Sequence, residues 1–176
     1  KADDFIDFTG SYFHYLTKAF TSVEVLSELT YDILKRASAK NYKILEIATI
    51  IEYLNRRVRA STENLVYQSI SKAMKRAYDD FGIVSGIIPT LMSYNLLDSS
   101  YIDKIIEQKK ILDSNEDLFM PIVGVDIGDF DMDYLDINAG QIKKIEANIK
   151  KLKDNSLGIR CHVGEANVYF ENGKEY

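Results

Sequence analysis

The sequence has very little cysteine, proline or histidine and no tryptophan: one cysteine, two prolines and two histidines occur among its 176 residues. A lone cysteine, Cys161, cannot form an internal disulfide, which excludes a disulfide-stabilised scaffold. So few histidines and cysteines leave little material for a zinc site, so we expect neither a cofactor nor a metal. No apolar run reaches the roughly 18 residues that a membrane-spanning helix needs. The first residues show no signal-peptide pattern, which favours a cytoplasmic protein without a membrane partner.

Apolar residues are abundant, at 46% of the chain, and charged residues make up 28%. This composition predicts a packed core, and the length suits one domain or one domain with a small appendage. The net charge of −5 is unevenly spread: residues 35–76 hold ten basic and three acidic groups, whereas residues 77–136 hold three basic and thirteen acidic groups. The basic block indicates either a surface for an anionic partner or pairing with the acidic block of the same chain or of a second copy.

Apolar residues recur at helical spacing from about residue 21 to residue 112. The pattern predicts helices near 5–20, 25–34, 42–54 and 62–78, then an apolar segment at 83–97 that is kinked or restarted at its proline, and a short helix at 100–112. The first long helix follows a capping box of Thr21 and Glu24, and Gly82 is well placed to end the helix at 62–78. We therefore expect a helical bundle over residues 1–115.

The pattern changes after residue 113. Strict alternation at 129–134 predicts a strand, Asn138 is expected to cap a helix at 140–153, and two more strands are predicted at 159–163 and 167–170. A turn signal, Asn172-Gly173, follows, so we expect this part to be truncated at its C-terminus. The predicted fold class is mainly α: a bundle of five or six helices, followed over residues 116–176 by a small α+β unit of two to four short strands packed on it.

The strongest functional candidate is the segment 44–78, which resembles the helix-turn-helix pattern of DNA-binding proteins. It predicts two amphipathic helices separated by a basic stretch, with a polar exposed face on the second helix that suits base edges and phosphates. Seven residues separate the helices, where about three or four are typical. The candidate nucleic-acid-binding residues are Arg56, Arg57, Arg59, Asn64, Gln68, Ser71, Lys72, Lys75 and Arg76.

The sequence thus predicts a non-enzymatic regulatory protein that binds nucleic acid and forms a homo-oligomer. One alternative is a protein-interaction or assembly domain that uses its basic and acidic surfaces, and another is an ordinary helix pair with a solvated basic face. An enzyme ranks third, because no acid, base and nucleophile converge in the sequence.

Two further patterns suggest a calcium site and a cysteine nucleophile, but neither pattern meets the requirements of that chemistry. The aspartates from Asp126 to Asp136 suggest calcium, but a calcium loop counted from Asp129 places Tyr134 and Gly140 at the two diagnostic positions. The Arg160-Cys161-His162 run suggests a cysteine nucleophile, but in a strand the sulfur and the imidazole point to opposite faces. We therefore predict no catalytic residue and no metal ligand.

Overall fold

The computed structural model describes residues 17–118, 122–128, 137–162, 169–170 and 174–175. Helices and strands alternate through most of it. The helices are α1 (Val23–Ala39), α2 (Ile51–Val58), α3 (Glu63–Phe81), α4 (Ser99–Asp113) and α5 (Ala139–Asp154), and short 3-10 helices span Thr17–Ala19 and Ser93–Leu97. The strands are β1 (Ile44–Thr49), β2 (Val84–Leu91), β3 (Gly124–Ile127), β4 (Gly158–Cys161), β5 (Tyr169–Phe170) and β6 (Lys174–Glu175).

Strands β1 to β4 form one sheet in sequential order, and every neighbouring pair is parallel. Parallel neighbours need long crossover connections, which the helices between them supply. Helices α2 and α3 connect β1 to β2, α4 connects β2 to β3, and α5 connects β3 to β4. The carboxyl ends of the four strands therefore lie along one edge of the sheet. Strands β5 and β6 form a separate antiparallel pair.

The core lies between the sheet and its helices. Ile87 and Leu91 of β2 and Ile127 of β3 are buried, and they belong to one apolar cluster with Ile70 and Met74 of α3. The long helix α1 packs on α3, where it buries Leu26 and Leu34. Among the described residues, no helix is both long and apolar enough to cross a membrane.

The predicted helical bundle is wrong, because two of its segments are strands. The predicted helix at 42–54 divides into β1 and α2, and the apolar segment at 83–97 is β2 followed by a 3-10 helix. Strand β2 is buried on both faces, so its sequence is nearly continuously apolar and loses the alternation that marks a strand. In β1 the exposed face carries Ile44 and Ala48, which hides the alternation in the same way.

Other element predictions are confirmed. Helix α3 ends at Gly82, whose φ of 67° lies in the left-handed region, and Asn138 caps α5 by accepting hydrogen bonds from two backbone N–H groups. Strand β4 lies within the predicted strand at 159–163 except for its first residue. The strand predicted at 129–134 lies outside the described residues. The division into domains at 115/116 stays a prediction; β2 and β3, on either side of it, pair in one sheet.

Candidate functional site

Four polar side chains lie together at the carboxyl ends of β2, β3 and β4. Thr90, Asp126 and Arg160 are neighbours in register across these strands, and His162 directly follows β4. Successive strand residues point to opposite faces, so Arg160 and His162 share the face on which Asp126 lies. The carboxyl edge of a parallel sheet is where ligands bind in folds of this kind.

Asp126 is the centre of this group, and its side chain is 0% exposed. Arg160 donates from Nε to Oδ1 at 3.0 Å, and the Thr90 hydroxyl donates to Oδ2 at 3.3 Å. His162 Nδ1 lies 3.1 Å from the same Oδ2. A buried carboxylate is costly without such partners, so the three contacts account for its presence in the core. The imidazole of His162 therefore lies directly against this carboxylate.

Charge is partly balanced within this group. The pKa of Arg160 is raised, first by its hydrogen bond to Asp126 and further by the charges of Asp126 and Glu46. The pKa of the Cys161 thiol is also raised, first by burial and then by the charge of Asp126. A nucleophilic cysteine requires a lowered pKa, so the site does not activate this thiol.

Two glycines allow the backbones around Asp126 to approach closely. A Cβ added at Gly124 would lie 2.8 Å from the backbone oxygen of Gly158 on β4. A Cβ at Gly128 would lie 2.8 Å from Cγ2 of Thr90. The small residues on both sides of Asp126 therefore keep its strand tightly packed against both neighbours.

One residue of this group, His162, is a candidate metal ligand. A histidine that binds a metal through one ring nitrogen usually has its other nitrogen against a carboxylate, and Nδ1 of His162 lies 3.1 Å from Oδ2 of Asp126. Within the part of the chain that the structure describes, no group of three His, Cys, Asp or Glu side chains is close enough to hold a metal ion. The described residues therefore place one candidate ligand and its supporting carboxylate.

The residues predicted to bind nucleic acid lie on two different helices. Arg56 and Arg57 are on α2, and Arg59 follows it in the left-handed conformation, with φ of 53°. The other six lie on α3: Asn64, Gln68, Ser71, Lys72, Lys75 and Arg76.

Several of these side chains have partners in the same molecule. Lys75 pairs with Asp79, and Arg76 makes two hydrogen bonds to Glu28. Asn64 accepts a hydrogen bond from Gln108, and Ser71 is fully buried, although the helical pattern predicted it to be exposed. No observation tests whether the nine residues contact a nucleic acid, so that assignment stays a prediction from the sequence.

No protein-family model matches the chain, and no curated protein matches its sequence. Solved structures do match its fold. An amidohydrolase from Burkholderia ambifaria with bound zinc is 20% identical, has a TM-score of 0.57, and matches over 82% of this chain and 36% of its own. An adenine deaminase from Arthrobacter aurescens is 16% identical, has a TM-score of 0.61, and matches over 92% of this chain and 44% of its own.

The chain thus spans less than half the length of these two proteins. Its alternating strands and helices resemble a fragment of the barrel-like amidohydrolase fold. At this level of identity, the likeness shows the fold.

The comparison overturns the functional predictions. A non-enzymatic, DNA-binding helix-turn-helix regulator is wrong, because the two matching structures named above are enzymes and the segment 44–78 begins with a strand where the motif needs a helix. The sequence analysis considered Asp126 only as a calcium ligand and His162 only as a partner of Cys161, and it did not connect the two residues. The available signal was their position: Asp126 lies in the short segment Gly124–Ile127 and His162 directly follows Gly158–Cys161, and parallel strands bring polar side chains together at their carboxyl ends.

Proposed function

We propose that this chain supplies part of the active site of a metal-dependent hydrolase. The observation that carries the proposal is the contact between Asp126 and His162 at the carboxyl ends of two adjacent parallel strands. The resemblance of the fold to a zinc-bound amidohydrolase and an adenine deaminase supports the same reaction class.

In this proposal, His162 binds the metal through Nε2, because Nδ1 faces the carboxylate of Asp126. Asp126 positions the ring, and Arg160 and Thr90 hold the carboxylate in place from its other sides. A divalent metal such as zinc, when bound, supplies Lewis-acid chemistry that makes water a good nucleophile near neutral pH.

The substrate class follows from the two enzymes that share the fold. Amidohydrolases and deaminases both use water to break a carbon–nitrogen bond. We therefore propose a small amide or an amino-substituted nitrogen heterocycle as the substrate. The polar face of the sheet at Thr90 and Asp126 is where such a molecule would meet the metal.

The test measures zinc binding by titration calorimetry, and then ammonia release from adenine. Because His162 supplies a ligand, His162→Ala is expected to weaken zinc binding by at least about 100-fold, and Asp126→Asn by roughly 10- to 100-fold. Cys161→Ser is the matched control, since it lies next to His162 on the opposite face, and it should bind zinc like the wild type. Absence of zinc binding in the wild type, or equal affinities of His162→Ala and Cys161→Ser, would overturn the proposal.

From the sequence alone, we further propose that the protein is cytoplasmic and forms a homo-oligomer.

A further inference from the structure

The parallel sheet exposes apolar side chains at one edge, on the face turned away from the helices. Leu45 and Ile47 of β1 pack against the helical core. The alternate residues Ile44 and Glu46 therefore lie on the opposite, open face of the sheet. Ile44 is 69% exposed, and Val84, its neighbour in register on β2, is 43% exposed. Parallel sheets are normally covered on both faces, so this part of the open face indicates a surface that a partner covers.

The two edges of the sheet suit further strand pairing. In the part of the chain that the structure describes, β1 pairs with β2 alone and β4 with β3 alone. The outer edge of such a strand presents backbone N–H and C=O groups, which are a template for pairing with another chain. A barrel of the class that this fold resembles closes with about eight parallel strands, and layers of branched side chains fill its interior. Ile44 and Val84, side by side on the open face, have the position and the shape of part of such a layer.

The length of the chain favours a second copy as the partner. The longest segment that the structure does not describe is residues 1–16. One strand–helix–strand unit takes about 30 residues, so segments of this length cannot add four strands with their crossover helices. A second copy of the chain brings four parallel strands of its own and the same two edges, so two copies together have the number of strands that closes a barrel.

The charges on the open face favour pairing between unlike edges. Glu46 on β1 is exposed, and the side chain of Arg160, on the same face of β4, is 50% exposed. When β1 of one copy lies beside β4 of the other, an acidic edge meets a basic edge, whereas two β1 edges would bring like charges together. We propose that two copies of this chain pair edge to edge, β1 with β4 and β4 with β1, and enclose their open faces in one barrel. The carboxyl ends of both sheets then surround one opening, which brings a second Asp126–His162 pair to the candidate site.

The first test measures the mass of the whole chain in solution by sedimentation equilibrium, where we expect a dimer at micromolar concentration. Ile44→Asp is expected to weaken dimerisation at least about 100-fold, because the interface would bury an unpaired carboxylate. Glu46→Lys is expected to weaken it about tenfold, because like charges would then lie on neighbouring strands. Ile142→Asp, at a position 46% exposed on α5, is the matched control and should dimerise like the wild type. Equal dimerisation of Ile44→Asp and Ile142→Asp would overturn the proposal. A monomeric wild type would also overturn it, and would favour a different protein or further strands of a longer chain as the cover of the open face.

The second test distinguishes pairing of β1 with β4 from any other dimer, with variants whose folding is checked by circular dichroism. Cys161 is the only cysteine of the chain and is exposed at the carboxyl end of β4. Ile47→Cys and Thr49→Cys each add a thiol to β1 on the same face of the sheet as Cys161. Neighbouring strands lie about 5 Å apart, so mild oxidation should link two chains by a disulfide in at least one of these variants. Ile142→Cys should give no linked dimer, and adding Cys161→Ser should remove the link. If Ile44→Asp does not fold, the disulfide decides the question alone, and its absence in both β1 variants would reject the interface.

Discussion

At the scale of single residues, the buried Asp126 is the centre of the candidate site. Its carboxylate is fully buried and contacts Arg160, Thr90 and His162. Arg160 is half exposed, so water shares in its solvation, and the ion pair contributes less than one buried on both sides. The cost of removing charge from water is therefore larger for the carboxylate, which has little access to water, than for the half-exposed guanidinium.

We predict that Asp126→Asn destabilises the fold by about 1–3 kcal/mol, because the amide keeps the shape but loses the charge that Arg160 and His162 face. The free energy of unfolding from urea denaturation measures this. Asp117→Asn, at an exposed position, is the control and should stay within about 0.5 kcal/mol of the wild type. Equal denaturation midpoints for the two variants would contradict the assigned role of Asp126.

At the scale of elements, the spacing of β3 and β4 depends on one glycine more than on the glycine opposite to it. Gly124 and Gly158 are paired in register. A Cβ at Gly124 would meet the backbone of β4 at 2.8 Å, whereas a Cβ at Gly158 would make an ordinary contact of 3.5 Å with the oxygen of Val123. Backbone atoms cannot move aside as the end of a flexible side chain can.

Gly124→Ala is accordingly expected to lower the stability by about 1–3 kcal/mol, as overpacking does in a tight core. Gly158→Ala is the matched control, on the opposite residue of the same strand pair, and should change the stability by less than about 0.5 kcal/mol. Thermal unfolding followed by circular dichroism compares the two. Similar melting temperatures for both variants would mean that β3 and β4 can separate without cost.

The elements also differ in how well the sequence predicted them. Helices α3 and α5 each have an amphipathic pattern and local end signals, Gly82 in one case and Asn138 in the other. Strands β1 and β2 have no such local signals, because apolar residues occur on both of their faces. A short apolar run is compatible with a helix or a buried strand, and its sheet neighbours decide between them.

At the scale of the whole molecule, the buried Tyr67 and the partly buried Tyr101 make the stability depend on pH in the alkaline range. Burial, and then neighbouring charges, raise the pKa of Tyr67 and of Tyr101 above the ordinary value of 10.0. Tyrosines in the unfolded chain release their protons near that ordinary value. Above it, the unfolded state binds fewer protons than the folded state, so the stability is fully present below about pH 10 and falls as the pH rises further.

We predict that Tyr101→Phe reduces the loss of unfolding free energy at alkaline pH, by at most about 1.4 kcal/mol per pH unit. The reason is that the substitution removes one hydroxyl whose pKa is raised in the folded state. Urea denaturation at about pH 8 and about pH 11 gives the loss of unfolding free energy for each protein. Tyr42→Phe, at an exposed position before β1, is the control and should show the wild-type loss. The prediction fails if Tyr101→Phe and Tyr42→Phe lose stability equally.

The sequence by itself determined the packed core and the helices α3 and α5, because these depend on residues a few positions apart. Only the tertiary structure decided that four segments pair as a parallel sheet. It also decided that Thr90 and Arg160, which lie 36 and 34 positions from Asp126, hold the same carboxylate. Pairing between strands so distant in the chain depends on crossover helices and on burial by neighbours, and no local spacing of residues records either of these.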